Sequence, residues 1–106
     1  MKYIMKPKVR ELADTLVDVL SKWPLVETIC LNEAASTDTL DPYFALILDV
    51  YVSGDLPSVS ERVEKYPTHS LFEVSPNGNK DRFLVGQLPV RIEYKNMARI
   101  EELAGI

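Results

Sequence analysis

Asp41-Pro42-Tyr43-Phe44-Ala45-Leu46-Ile47-Leu48-Asp49-Val50-Tyr51-Val52 is the most apolar run in the chain, and it carries an acid near its middle. A run this short reads as a strand buried on both faces. Strand alternation puts Phe44, Leu46, Leu48, Val50 and Val52 on one face. Tyr43, Ala45, Ile47, Asp49 and Tyr51 share the other. Burying an ionised carboxylate is costly unless it is paired, hydrogen-bonded or bound to a metal. Asp49 is thus the first residue whose position needs a reason.

Working outward, Pro7 suits the first turn of a helix. Val9, Leu12, Ala13, Leu16, Val17, Leu20 and Trp23 follow at helical spacing, and Pro24 ends the run. Residues 26–31 are β-rich and read as a strand. Residues 32–41 are small and polar, a loop or a short helix from Glu33 followed by a loop. After the central strand, Ser58 with Glu61 three residues on forms a capping-box pattern. Val59, Val63 and Tyr66 give that short helix its inward face. Residues 71–74 and 80–85 read as strands joined through Asn77-Gly78, a strong hairpin signal. Residues 88–95 alternate cleanly, with Leu88, Val90, Ile92 and Tyr94 on one side and Arg91, Glu93 and Lys95 on the other. Pro89 lacks an N–H and fits a strand start or edge. Asn96 reads as the cap of a last helix, with Met97, Ile100 and Leu103 inward and Gly105 as its stop. The fold class that follows is α+β: one domain, residues 1–106, with a mixed β-sheet and helices mainly on one face. The helical connections favour crossover pairing between the strands they join.

Composition narrows function. The chain has 106 residues, 46% of them hydrophobic and 26% charged, which is ordinary for a globular domain. A formal charge of −4 weighs against nonspecific nucleic-acid binding, yet leaves room for a small nucleotide at a local site. Met1–Met5 leads directly into a charged helix, no secretory signal is visible, and no apolar run reaches the roughly 20 residues a membrane span needs. The expectation is a cytoplasmic protein with no membrane partner. Cys30 reads as a small buried hydrophobe, His69 as a loop histidine rather than a catalytic base, and Lys80-Asp81-Arg82 as a solvated strand end rather than a phosphate contact.

The element order resembles the nucleotidyltransferase fold of the DNA-polymerase-beta-like superfamily, in particular its small bacterial members. Residues 28–31 look like that family's first strand, Glu33-Ala34-Ala35-Ser36 falls where its Gly-Ser turn and helix stand, and the run through Asp49 looks like its carboxylate strand. Arg91-Ile92-Glu93-Tyr94-Lys95 looks like the strand of the third carboxylate. The resemblance implies magnesium (Mg2+) held by Asp49 and Glu93 as metal and catalytic residues. It implies a nucleoside triphosphate bound beside Glu33, Ala34 and Ser36, and transfer of a nucleoside monophosphate with release of pyrophosphate. Three departures stand against full activity. No glycine occupies the turn, where Glu33 adds negative charge. Ala45 and Ile47 stand where a second adjacent acid belongs in either register. The family's additional helical region does not follow within this sequence, so a homodimer, a helical region or a partner would complete the site. The resemblance therefore implies an enzyme that is weak or inactive, or a binding or assembly module of the same fold. Asp49 and Glu93 read either as remnant metal ligands or as structural acids paired with neighbouring Arg and Lys. An unrelated α+β domain with the same element order is the third reading.

Overall fold

The computed structural model describes residues 6–35 and 44–97. The elements run α1 (Pro7–Ser21), β1 (Val26–Ala34), β2 (Leu46–Val52), α2 (Val59–Lys65), β3 (Ser70–Val74), β4 (Lys80–Val85) and β5 (Leu88–Asn96). The expected last helix, beyond Met97, lies outside the described residues, as do Ser36 and residues 41–43.

The five strands form one mixed sheet in the order β1-β2-β5-β4-β3. β2 and β5 are parallel neighbours at its centre; β1 with β2, β5 with β4 and β4 with β3 are antiparallel. α2 joins β2 to β3, which are not neighbours, so the expected pairing across a helical connection does not form there; β2 instead pairs in parallel with β5, reached through α2, β3 and β4. The β1–β2 pairing is not a crossover either: β1 runs antiparallel to β2. The reason is local. Ala35 N–H donates to Ala45 C=O at 2.7 Å, which brings the end of β1 beside the start of β2.

Among the described residues, the helices pack on one face of the sheet. Val9, Leu12, Ala13, Leu16 and Leu20 of α1 join Leu46, Leu48, Val50 and Val52 of β2 in the core, with Val90, Ile92, Tyr94 and Phe83 from the neighbouring strands. Pro7 stands at the start of α1, where its missing N–H costs nothing. Val17, expected inward, is exposed. Ser58 caps α2 by accepting from Glu61 N–H, as its spacing predicts. Asn77-Gly78 turns the β3–β4 hairpin, with Gly78 at φ 76°, a conformation that suits glycine.

α2 departs from its hydrophobic pattern. Tyr66 is buried as its spacing predicts, but Val59 is exposed and Val63 half-buried, and Arg62 is buried in their place. Arg62 grips Asp81 of β4 with two parallel bonds, Nε to Oδ2 at 2.8 Å and Nη2 to Oδ1 at 3.0 Å. It also donates to Pro57 C=O at 2.6 Å and to Gly78 C=O at 2.9 Å. Tyr66 donates its hydroxyl proton to Asp81 Oδ2, so the Tyr94 hydroxyl must be the donor in its 2.5 Å contact with Tyr66. Asp81 is therefore no solvated strand end: its exposure is 0%. Burial, with the neighbouring Tyr94 and Asp81, holds the Tyr66 phenol far above its ordinary range; burial also raises Tyr94, although its bond to Tyr66 opposes the shift.

This raises an alkaline prediction. A phenol whose folded pKa exceeds its unfolded value of about 10 gives its full stabilisation below that pH and loses it above. Stability should thus fall as pH rises past about 10, and two of the five tyrosines should yield phenolate absorbance only together with loss of helical circular dichroism. Ionisation of all five ahead of unfolding would contradict the buried network.

Candidate functional site

The face opposite the helices is built by the other half of the strand alternation. β2 places Ile47, Asp49 and Tyr51 there, and β5 adds Pro89, Arg91, Glu93 and Lys95. β4 adds Lys80, Arg82 and Leu84. Registers stack these into rows across the sheet. Ile47, Arg91 and Arg82 share one row; Asp49, Glu93 and Lys80 share the next.

The structure thus brings together the two acids singled out in the sequence. Asp49 and Glu93 are directly opposite on neighbouring parallel strands. Asp49 is 7% exposed on this face. Its Oδ2 accepts from Asn32 Nδ2 at 3.1 Å and from Lys95 Nζ at 3.4 Å. Burial works against the Lys95 ammonium, but Asp49 beside it outweighs that and raises the lysine above its ordinary pKa. Lys95 also stands 5.7 Å from the Tyr51 ring. Asp49 Oδ1 is buried and makes no hydrogen bond. Glu93 is held more loosely, 3.8 Å from Arg91 Nη2 and 4.0 Å from Lys80 Nζ. Both distances are ion pairs without a hydrogen bond. The cation that two adjacent acids require is supplied in good part by the chain's own lysines and arginine.

The phosphate-binding turn expected at Glu33 and Ala34 is not there. β1 continues through both, pairing Glu33 with Ile47 and Ala34 with Leu46. Glu33 is an exposed strand residue and Ala34 a buried one. A register shift between Leu31 and Glu33 is what lets Asn32 reach Asp49. Cys30, expected buried, is exposed on this edge strand in register with Asp49. His69 is a half-buried loop residue among aromatic rings, 5.2 Å from that of Phe83 and 6.1 Å from that of Tyr66, with Nδ1 2.8 Å from Pro67 C=O.

Sequence reasoning missed two things here. Asn32 was read only as loop, although its place one residue beyond the expected strand end was a signal of sorts. The pairing of Arg82 with Arg91 follows from the hairpin through Gly86-Gln87, which sets Val85 opposite Leu88 and counts back to the two arginines.

Two carboxylates on one face can hold a single cation; two-metal phosphoryl transfer needs more oxygen ligands. Among the described residues no group of three or more His, Cys, Asp or Glu side chains gathers to hold a metal. No described helix is long and apolar enough to cross a membrane. The chain matches no protein-family model, no curated protein and no solved structure.

Proposed function

We propose that the chain is a nucleotidyltransferase-like domain that binds a nucleoside triphosphate with magnesium on the sheet face opposite its described helices, and that its transfer step is slow or absent. The observation that supports this reading is the in-register placement of Asp49 and Glu93 on neighbouring parallel strands, on one face. Asp49 Oδ1, buried without a hydrogen bond, leaves one carboxylate oxygen for a cation. Glu93 stands beside it as the second ligand. A bound magnesium would supply positive charge to the phosphates there. Lys95 and Asn32, both donating to Oδ2, would keep the Asp49 carboxylate oriented. Ile47, where the resemblance would have an acid, provides no ligand.

A second reading is a non-catalytic binding or assembly module of the same fold. The observation that favours it is the Lys95–Asp49 pair, which already neutralises the more buried acid.

Calorimetry separates the two. ATP titrated with magnesium should bind more tightly than ATP in chelator. Asp49→Asn and Glu93→Gln should each erase at least about tenfold of that metal-dependent gain. ATP affinity that magnesium does not change, or that both variants keep, would leave the second reading.

A further inference from the structure

Arg82 and Arg91 stand directly opposite each other on β4 and β5. Like charges so placed repel, and the sheet must answer them. Arg82 is answered by Glu73 of β3, whose Oε2 lies 2.6 Å from its Nη2. Arg91 is answered poorly. Glu93 is 3.8 Å away, and the Arg91 Nε is buried without an acceptor. Its guanidinium is 5.4 Å from the centre of the Phe44 ring. The pair therefore holds more donors than its neighbours use, and unused buried donors are uncommon in folded proteins.

A groove of about 280 Å³ lies beside it, lined by Phe44, Leu71, Leu84 and Pro89 with Arg82 and Glu73 among its walls. Leu71 is 75% exposed and sits at φ 51°, within the irregular pairing of β3 with β4. A leucine there is both strained and wet. An aromatic and aliphatic slot next to two guanidinium groups matches an amphiphile with a flat apolar end and an anionic end.

We infer that Arg82 and Arg91 bind the phosphates of a nucleoside polyphosphate without metal, with the base in the Phe44–Leu84 groove. This rests on the nucleotide reading above and moves the phosphates away from the end of β1, where Glu33 stands exposed. Guanidinium forks match phosphate oxygens with paired hydrogen bonds. The aromatic wall suits the face of a base, which stacks without sequence preference. The groove is near the lower bound for small-molecule sites, which fits a base and not a macromolecule. The opposing acids are Glu73 and Glu93. Glu73 is well exposed, so its pair with Arg82 exchanges readily for a ligand. Glu93 is shared with Lys80 on its far side.

The test is calorimetry on the full chain in chelator, with ATP, pyrophosphate and adenosine as separate probes. ATP should bind more tightly than pyrophosphate, and adenosine more weakly than either. Arg82→Met and Arg91→Met should each weaken ATP about tenfold, the loss expected for a charge-assisted pair. Glu73→Gln should tighten ATP severalfold by releasing Arg82, an effect that a purely structural arginine pair would not produce. Should a variant fold poorly, amide shifts of the unaltered chain on adding ATP serve instead, and they should centre on residues 82–84 and 89–91. Equal affinity for ATP and pyrophosphate would overturn the base groove. ATP binding in chelator that is absent, or unchanged in both arginine variants, would overturn the site. Metal-dependent binding lost in Asp49→Asn but kept in Arg91→Met would remove this inference and leave the magnesium reading intact. Metal-free binding kept by Asp49→Asn and Glu93→Gln supports this site, whereas an ATP affinity that magnesium leaves unchanged would remove the magnesium reading and leave this inference standing.

Discussion

Asp81→Ala is expected to lower the unfolding free energy by about 3–5 kcal/mol, the usual consequence of removing one partner from a buried ion pair. The carboxylate has 0% exposure and Arg62 has 2%, so neither charge has water to fall back on. Without Asp81, Arg62 keeps only Pro57 C=O and Gly78 C=O as acceptors, both uncharged. Tyr66 loses the acceptor for its hydroxyl proton. Domains of this size have roughly 5–15 kcal/mol in total, so the loss is a large share of it. The midpoint should drop by roughly 4–8 °C for each kcal/mol. Urea unfolding followed by circular dichroism checks the value, with an unchanged slope showing that the denatured state is the same. A loss under about 1 kcal/mol would mean that the pair is solvated. Replacing both partners, Arg62→Met with Asp81→Leu, should cost far less than Asp81→Ala, because no uncompensated charge remains.

The same network marks where sequence reading stops. Hydrophobic spacing in α2 selects Val59, Val63 and Tyr66 as inward; the structure buries Tyr66 as expected but leaves Val59 exposed and buries Arg62 instead. Spacing cannot register a buried cation whose partner lies on another element, 19 residues on. Yet a clue was present. Alternation along β4 puts Asp81 on the side of Phe83, which is apolar, and an acid on an apolar face demands a cation. The same argument applied to Asp49 led to the right place. Its position opposite the Leu46–Leu48–Val50–Val52 face followed from alternation, but its company with Glu93 rested on the resemblance, and it is the parallel pairing of β2 with β5 that puts the two acids side by side. The end of β1 was illegible for a different reason. Glu33 and Ala34 have poor strand propensity, but pairing with Ile47 and Leu46 overrides it. Cys30 looked buried because its neighbours are apolar; an edge strand leaves it exposed.

Ile47→Asp should destabilise the fold in chelator by about 2–4 kcal/mol and recover part of that loss in manganese. Ile47 is 5% exposed, so the change forfeits about 1.5–3 kcal/mol of apolar burial and adds a poorly hydrated charge. Arg91, its in-register neighbour on β5, offsets some of that charge and keeps the variant foldable. The new carboxylate lies two residues before Asp49 on the same strand face, which restores the adjacent acid pair that the nucleotidyltransferase-like reading requires. A cation that binds the folded state at ten to a hundred times its dissociation constant returns about 1–3 kcal/mol. Ile47→Asn is the control, since it forfeits the same packing and adds no charge. Manganese should therefore stabilise Ile47→Asp well beyond Ile47→Asn, and Asp49→Asn in the same background should abolish the difference. Equal responses of the two variants would show that Asp49 and Glu93 form no part of a metal site, because a third carboxylate placed beside them would then have gained nothing from their presence. The same substitution should also weaken ATP binding in chelator, since it gives Arg91 the acceptor it lacks. The metal response and the anion response are thus expected to move in opposite directions from one change at the centre of the sheet.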